Sequence, residues 1–444
     1  MKAAIRNPKS AIFLLALIIR LAWVLHLPSD KSVLWQLPDQ VEYYKIAQNL
    51  LIGKGLHFWD DRFDGDIHAF RMPGYPLFVA ACGGKIVVVR IVQALIDTST
   101  VLAAYLLAKR WMNDRSALLS AGLVAVNPFL IYFSGLMLSE TLFVAMLAWG
   151  MYLLVRSVTP MEGITPSPGP PGEDWGEGSY SNERSVNPRQ NPHPDPLPRV
   201  HGRGGNVLGA SALWALLLLA LSIHIRPSAM LLPIFLPLVL CRNWKLPIIG
   251  AAMSVLVLLP WAIRNKHLLG EWIWTTTNSG VTLYDGFNPD ATGASNQNFL
   301  QQMPQLKEMS EIGRSRYLSS LAQNYLATSL PRVVSLTFNK IARTWSPIPL
   351  SDQFGSRKLY RLVGGGYATA LFGLAIIGFF RGNLPKNVKL FLLLPAVYFT
   401  LVHAMSVGSL RYRLPAEAPL AVLAGAVLTV EKKQTADRRL PIAD

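Results

Sequence analysis

The sequence predicts an all-α, polytopic membrane protein with about ten transmembrane helices, and three observations carry this. The 444-residue chain has a mean hydropathy of +0.31, 51% hydrophobic residues and only 15% charged ones, where soluble proteins carry about a quarter. Its apolar residues fall in runs that approach the 20 or so residues a membrane-crossing helix needs. The net charge of +16 comes from short Lys/Arg clusters between those runs. Such clusters mark cytoplasmic loops rather than one basic face for nucleic acid.

The first span, near 11–27, follows Lys2, Arg6 and Lys9. It resembles a signal peptide, but no small-residue cleavage site follows, so it reads as a retained anchor. Further spans are expected near 87–108, 116–133, 140–156, 207–225, 228–241, 246–262, 361–380, 389–405 and 414–430. The basic loops are the N-terminus, KRWMNDR at 109–115, the Arg-bearing 156–206, CRNWK at 241–245, RGNLPKNVK at 381–389 and the tail EKKQTADRR. All fall on the cytoplasmic side if PGYPLFVAACGG at 73–84 enters the membrane without crossing. With only about a dozen apolar residues, that segment is expected to be an interfacial or re-entrant helix.

The chain thus divides into an N-terminal transmembrane part, 1–157, bearing an external loop at 28–72; an insertion at 158–206; central transmembrane helices at 207–263; an external loop at 264–360; and C-terminal transmembrane helices with a cytoplasmic tail at 361–444. The insertion has ten prolines and eight glycines in 49 residues, so it reads as a disordered cytoplasmic linker in which His193 and His201 are solvated. Cys82 and Cys241 lie inside apolar runs and read as packed thiols rather than a disulfide or metal set. In the second external loop GVTLYDGFNPDATG reads as turns and SRYLSSLAQNYLATSL as a helix ended by Pro331. PRVVSLTFNKIARTWSP has Val334, Phe338, Ile341 and Trp345 at helical spacing, with Arg332, Lys340 and Arg343 elsewhere around the turn. That is the pattern of a helix lying on the membrane surface.

Chemistry is expected on the outer face. The first loop holds seven acids against five bases, a local excess of acid in a basic protein. DDRFDGD reads there as a solvated turn cluster rather than a hard-cation site. Asp39 opens an amphipathic helix, where it is either a cap or a catalytic base, and Glu42, Tyr43 and Tyr44 follow it closely. Glu140 stands at the outer rim of a span, where it either begins the helix or functions as a carboxylate at membrane depth. Cations gather on this same side: Arg71, Arg90, His224, Arg226, Arg264, Arg411 and Arg413. They read either as snorkelling anchors or as a phosphate-binding ring, for which the Arg fork is suited.

Five segments in order, PDQVEYYKIAQNLLIGKGL, FRMPGYPLF, VRIVQALID, NPFLIYFSGLMLSETLF and RYRLPAEAPLAVLAG, resemble the GT-C glycosyltransferases. The similarity is to the family 39 type, related to protein O-mannosyltransferases and to the lipid A aminoarabinose transferase, and it covers nearly all of the chain outside 158–206. The resemblance implies a GT-C fold with juxtamembrane helices in two external loops. It also implies a sugar donor carried on a polyprenyl phosphate and inverting transfer at the outer face of the plasma membrane. By position Asp39 matches the family's catalytic Asp, and Glu140 a second acidic residue. Arg71, Arg90, Arg226, Arg264 and Arg411 become candidates for the lipid phosphate, and Tyr43, Tyr44 and Tyr75 for walls of the sugar site. A divalent cation between Asp39 and Glu140 is the one cofactor the pattern leaves room for. The expected partners are the lipid-linked donor, an acceptor glycan, lipid or protein, and membrane lipids, without nucleic acid. The rivals are a transporter or flippase of lipid-linked sugars, which should show internal repeats, and a non-catalytic lipid-binding protein, in which Asp39 and Glu140 would not converge.

Overall fold

The computed structural model describes residues 7–157, 209–241, 243–350 and 357–429. The insertion 158–206 with His193 and His201, the basic residues Lys2 and Arg6, and the tail EKKQTADRR lie outside the described residues. The helices in chain order are α1 (Pro8–His26), α2 (Pro38–Leu51), α3 (Gly74–Ala81), α4 (Ile86–Lys109), α5 (Asp114–Ala125), α6 (Pro128–Ser134), α7 (Glu140–Ser157), α8 (Ala210–Leu221) and α9 (Leu232–Leu240). They continue as α10 (Lys245–Leu269), α11 (Ser279–Gly286), α12 (Phe299–Gln302), α13 (Glu311–Thr328), α14 (Leu330–Thr344), α15 (Lys358–Arg381), α16 (Lys386–Ala404) and α17 (Leu414–Gly425).

Among the described residues six helices are long and apolar enough to cross a membrane, α1, α4, α7, α10, α15 and α16, or seven if the bent pair α5–α6 is one span. Each of the ten segments expected to span is helical, but α8, α9 and α17 are shorter than a crossing requires. By length and composition alone six or seven of the described helices qualify as spans. Segment 73–84 contains only the eight-residue α3, too short to cross.

The break between α5 and α6 bends the chain by 49° and has a clear local cause. Pro128 supplies no N–H, so carbonyls in the preceding turn lose their helical partner. Arg20 of α1, fully buried, donates to the carbonyls of Val124 and Ala125 at 3.1 and 2.8 Å and pairs with Asp97 of α4 at 2.6 Å. Asn127 caps α6 through Phe129 and Leu130 N–H and donates to Glu417 of α17 at 2.6 Å. Buried charge thus holds a defect that apolar packing alone would leave unsatisfied.

On one face residues of 28–72 and 264–350 combine into a lobe with its own apolar core, including Phe58, Phe63, Ile67, Tyr284, Phe287, Leu318 and Leu336. Three local expectations change here. Residues 280–286, the first half of the segment expected as turns, lie in α11. DDRFDGD is a hairpin turn between β1 (Phe58–Asp60) and β2 (Gly65–Ile67), antiparallel, with Asp64 at φ 51°. Asp60 in it is buried rather than solvated and accepts from Arg62 at 2.9 Å. The surface stripe of α14 is Leu330, Val334 and Phe338, all exposed. Trp345 instead packs on Phe372 of α15 and donates to Thr400 of α16 at 2.8 Å. Pro331 starts α14 instead of merely ending α13.

Candidate active site between the lobe and the helix bundle

Asp39 occupies the first turn of α2. Rather than capping that helix, its carboxylate accepts from Arg71 Nη2 at 2.6 Å and lies 2.8 Å from Arg411 Nη1. Arg411 reaches on to Glu140, with Nε 2.5 Å from Oε1, and Arg226 Nη1 lies 3.2 Å from the same oxygen. One guanidinium thus joins the two carboxylates that sequence reasoning placed on separate segments. Glu42 completes the cluster, taking Arg71 on one oxygen and Arg62 on the other, each at 2.5 Å. Arg62 also holds Asp60 and Gln297, so the hairpin is tied to α2.

The scaffold behind these groups is built from neutral hydrogen bonds. Glu140 begins α7 after an irregular stretch, 135–139, that side chains of α2 and α4 brace. Gln93 of α4 donates to Ser134 and Leu136 carbonyls at 2.9 and 2.7 Å, and Gln40 of α2 accepts from Met137 N–H at 2.9 Å. Tyr75 donates to Gln93 at 2.6 Å and lies edge-on to Tyr43 with ring centres 4.8 Å apart. It is fully buried, so it stands behind the site rather than forming its wall.

Several other candidates point elsewhere. Arg90 donates to the Pro28 carbonyl, and Arg264 to the carbonyls of His68 and Leu56. His224 Nε2 is 2.9 Å from the Val257 carbonyl. Arg413 is sealed inside, paired with Glu417 at 2.9 Å and bonded to the Ser346 carbonyl. Tyr44 is half-buried, with Lys31 Nζ 5.7 Å from its ring. Asp39, Glu42, Tyr43, Arg71, Glu140, Arg226 and Arg411 are therefore the sequence candidates that the structure gathers.

The electrostatics follow from this pairing. Burial alone pushes Asp39 up, but Arg71 and Arg411 outweigh it and hold the carboxyl well below the usual carboxylate range. Arg411, opposed by burial, is raised by Glu140 and Asp39 and stays a cation. Glu140 is 1% exposed, and its Oε2 has no hydrogen-bond partner among the described residues. A divalent cation does not fit this donor set. Both oxygens of Asp39 and one of Glu140 already serve guanidinium groups, and no group of three or more His, Cys, Asp or Glu fit to hold a metal occurs among the described residues.

Beside the cluster opens a cavity of about 590 Å³, lined by Trp23, Phe129, Tyr132, Leu136, Arg343 and Arg411 among others. Its wall is mostly apolar, so the two Arg are its distinctive chemistry. Sequence reasoning did not assign Arg343 to the site. Its Nε is buried without a hydrogen-bond partner among the described residues. It also did not single out Tyr412, on which His403 lies flat at 3.8 Å while Arg226 and Arg411 flank the ring at 5.6 and 5.8 Å. The position of Tyr412 between two Arg in SLRYRLP was the available signal. The chain leading to Arg411 passes close to its neighbours at two glycines. A Cβ on Gly286 would strike the Ser406 carbonyl, and one on Gly408 would meet the backbone of Lys340.

Residues 75–163 match the family described as dolichyl-phosphate-mannose-protein mannosyltransferase. No curated protein matches the chain by sequence. Among solved structures the chain is similar to the Archaeoglobus fulgidus oligosaccharyltransferase tethered with an acceptor peptide containing the NVT sequon. The TM-score is 0.52 at 14% identity, over 94% of this chain and 49% of that one. It is similar also to the oligosaccharyltransferase AglB of that organism in complex with an inhibitory peptide and a dolichol-phosphate, with TM-score 0.52 and 13% identity over 94% and 50% of the two chains. The chain spans about half the length of these proteins. The fold read from the sequence, and the family resemblance across 75–163, are both met.

Proposed function

We propose that this chain, a multi-pass membrane protein with the GT-C fold, is a glycosyltransferase that moves a sugar from a polyprenyl-phosphate donor to an acceptor hydroxyl or amine at the outer face of the plasma membrane. The observation that supports this best is Arg411, which joins Asp39 and Glu140 at the wall of an apolar cavity. The cavity suits a prenyl chain, and Arg343 with Arg411 suits its phosphate. That a protein of similar fold was solved with a dolichol-phosphate supports the same reading.

In this reaction the acceptor gives its proton to Asp39 as its oxygen or nitrogen bonds to the anomeric carbon. The carbon–oxygen bond to the phosphate breaks, and the polyprenyl phosphate leaves with the electron pair, stabilised by Arg411 and Arg343. Attack opposite the leaving group inverts the anomeric centre. Glu140 holds Arg411 and Arg226 in place. Asp39→Asn should lower transfer by about a hundredfold to ten-thousandfold, measured by mass spectrometry of cell-envelope glycans and glycolipids against an equal amount of membrane-inserted protein. Full transfer by that variant removes Asp39 from the mechanism.

A further inference from the structure

We propose that Arg411 is exchanged between two anions, so that the arriving donor phosphate draws it off Asp39 and frees the base only when a donor is in place. This rests on the lipid-phosphate reading above and adds an order to it, donor before acceptor. The geometry points to exchange because Arg411 already spends its groups. Nε is committed to Glu140 at 2.5 Å, and Nη1 lies against Asp39 Oδ2 at 2.8 Å. The fork left for a phosphate is Nη1 with Nη2, and Nη1 is the nitrogen that now lies against Asp39. The same side chain lines the cavity, together with Arg343 and its unpartnered buried Nε. A phosphate held between them finds two cations, whereas Asp39 keeps Arg71, at 2.6 Å, after Arg411 leaves.

The consequence for the base is direct. With two guanidinium groups upon it Asp39 is a very weak proton acceptor; with one it is stronger. Without donor, an acceptor or a water molecule meets a carboxylate whose charge is already neutralised. Glu140 keeps Nε throughout and acts as the pivot on which the guanidinium turns.

Equilibrium binding of undecaprenyl phosphate to the full-length protein in detergent micelles tests the exchange. Asp39→Asn removes the competing anion, so affinity should rise about tenfold, the worth of one charge-assisted hydrogen bond. Glu42→Gln removes an equal charge nearby, but from Arg71 and Arg62 rather than Arg411, and should raise affinity by clearly less than Asp39→Asn does. Arg411→Gln should weaken binding at least about tenfold and does not depend on how Asp39→Asn folds. If Asp39→Asn binds no tighter than the parent, if Glu42→Gln gains as much, or if Arg411→Gln binds as well as the parent, the exchange is overturned while the lipid-phosphate reading stands. If neither the parent nor any variant binds the probe, the lipid-phosphate reading falls, and the exchange falls with it.

Discussion

Lys340 is 0% exposed on the inner side of α14, its Nζ 3.2 Å from the centre of the Phe287 ring and 3.4 Å from the Ala404 carbonyl. Burial brings its pKa down to about 7, with Asp285 acting the other way. An unfolded chain would keep that proton until about pH 10.4. Between those values the unfolded state binds more protons, so the lobe gains stability as pH rises from about 7 towards 10 and has least below 7. The melting temperature should therefore climb between pH 6.5 and 9, and Lys340→Met should flatten the climb. In the sequence Lys340 looks like any cation on the polar side of a surface helix. Periodicity shows which residues share a face, but not that a second layer, here α11 and the chain after α16, covers that face. Glu140 was legible because a carboxylate at membrane depth is costly, and Asp39 through its place in the family resemblance. Their common partner Arg411, some 270 positions beyond Glu140, was legible only as one member of a loose group of Arg.

The span expected at 116–133 is in fact two helices set at 49°. Hydropathy counts the apolar residues on both sides of Asn127 and Pro128 alike, so the break leaves no mark on it. What marks it is the pairing of Arg20 with Asp97 and with two carbonyls at the break. Arg20→Met should cost about 3–5 kcal/mol, because it leaves Asp97 as an unpaired buried charge. Arg20→Met with Asp97→Leu should recover only part of this, since the Ala125 carbonyl loses its Arg20 donor and the Val124 carbonyl keeps only a long bond from Asn127 N–H. Thermal unfolding in detergent, one variant beside the other, measures both. Full recovery in the double variant would mean that the carbonyl bonds contribute little. Helix existence and the apolar faces were readable from periodicity, whereas this polar brace joins residues about 77 and 105 positions apart.

At the scale of the whole molecule, charge sorts the two faces. Lys9 and Lys109 meet Asp114 at one end of the bundle, where Asn387 also reaches the Leu240 carbonyl. The lobe and the carboxylate cluster lie at the other end. Positive-inside reasoning places the first end in the cytoplasm. In intact cells Asp61→Cys, on the exposed hairpin, should react with a membrane-impermeant maleimide, and Asn383→Cys only after permeabilisation. The reverse pattern would invert the protein and move the proposed site to the cytoplasm. The tight passage of Gly286 and Gly408 past their neighbours has an engineering consequence. A lobe transplanted from a relative can differ almost anywhere on its exposed surface. At that seam, however, graft and host must supply the glycines as a matched set, because a single added methyl would meet the Ser406 carbonyl or the Lys340 backbone on the chain that leads to Arg411.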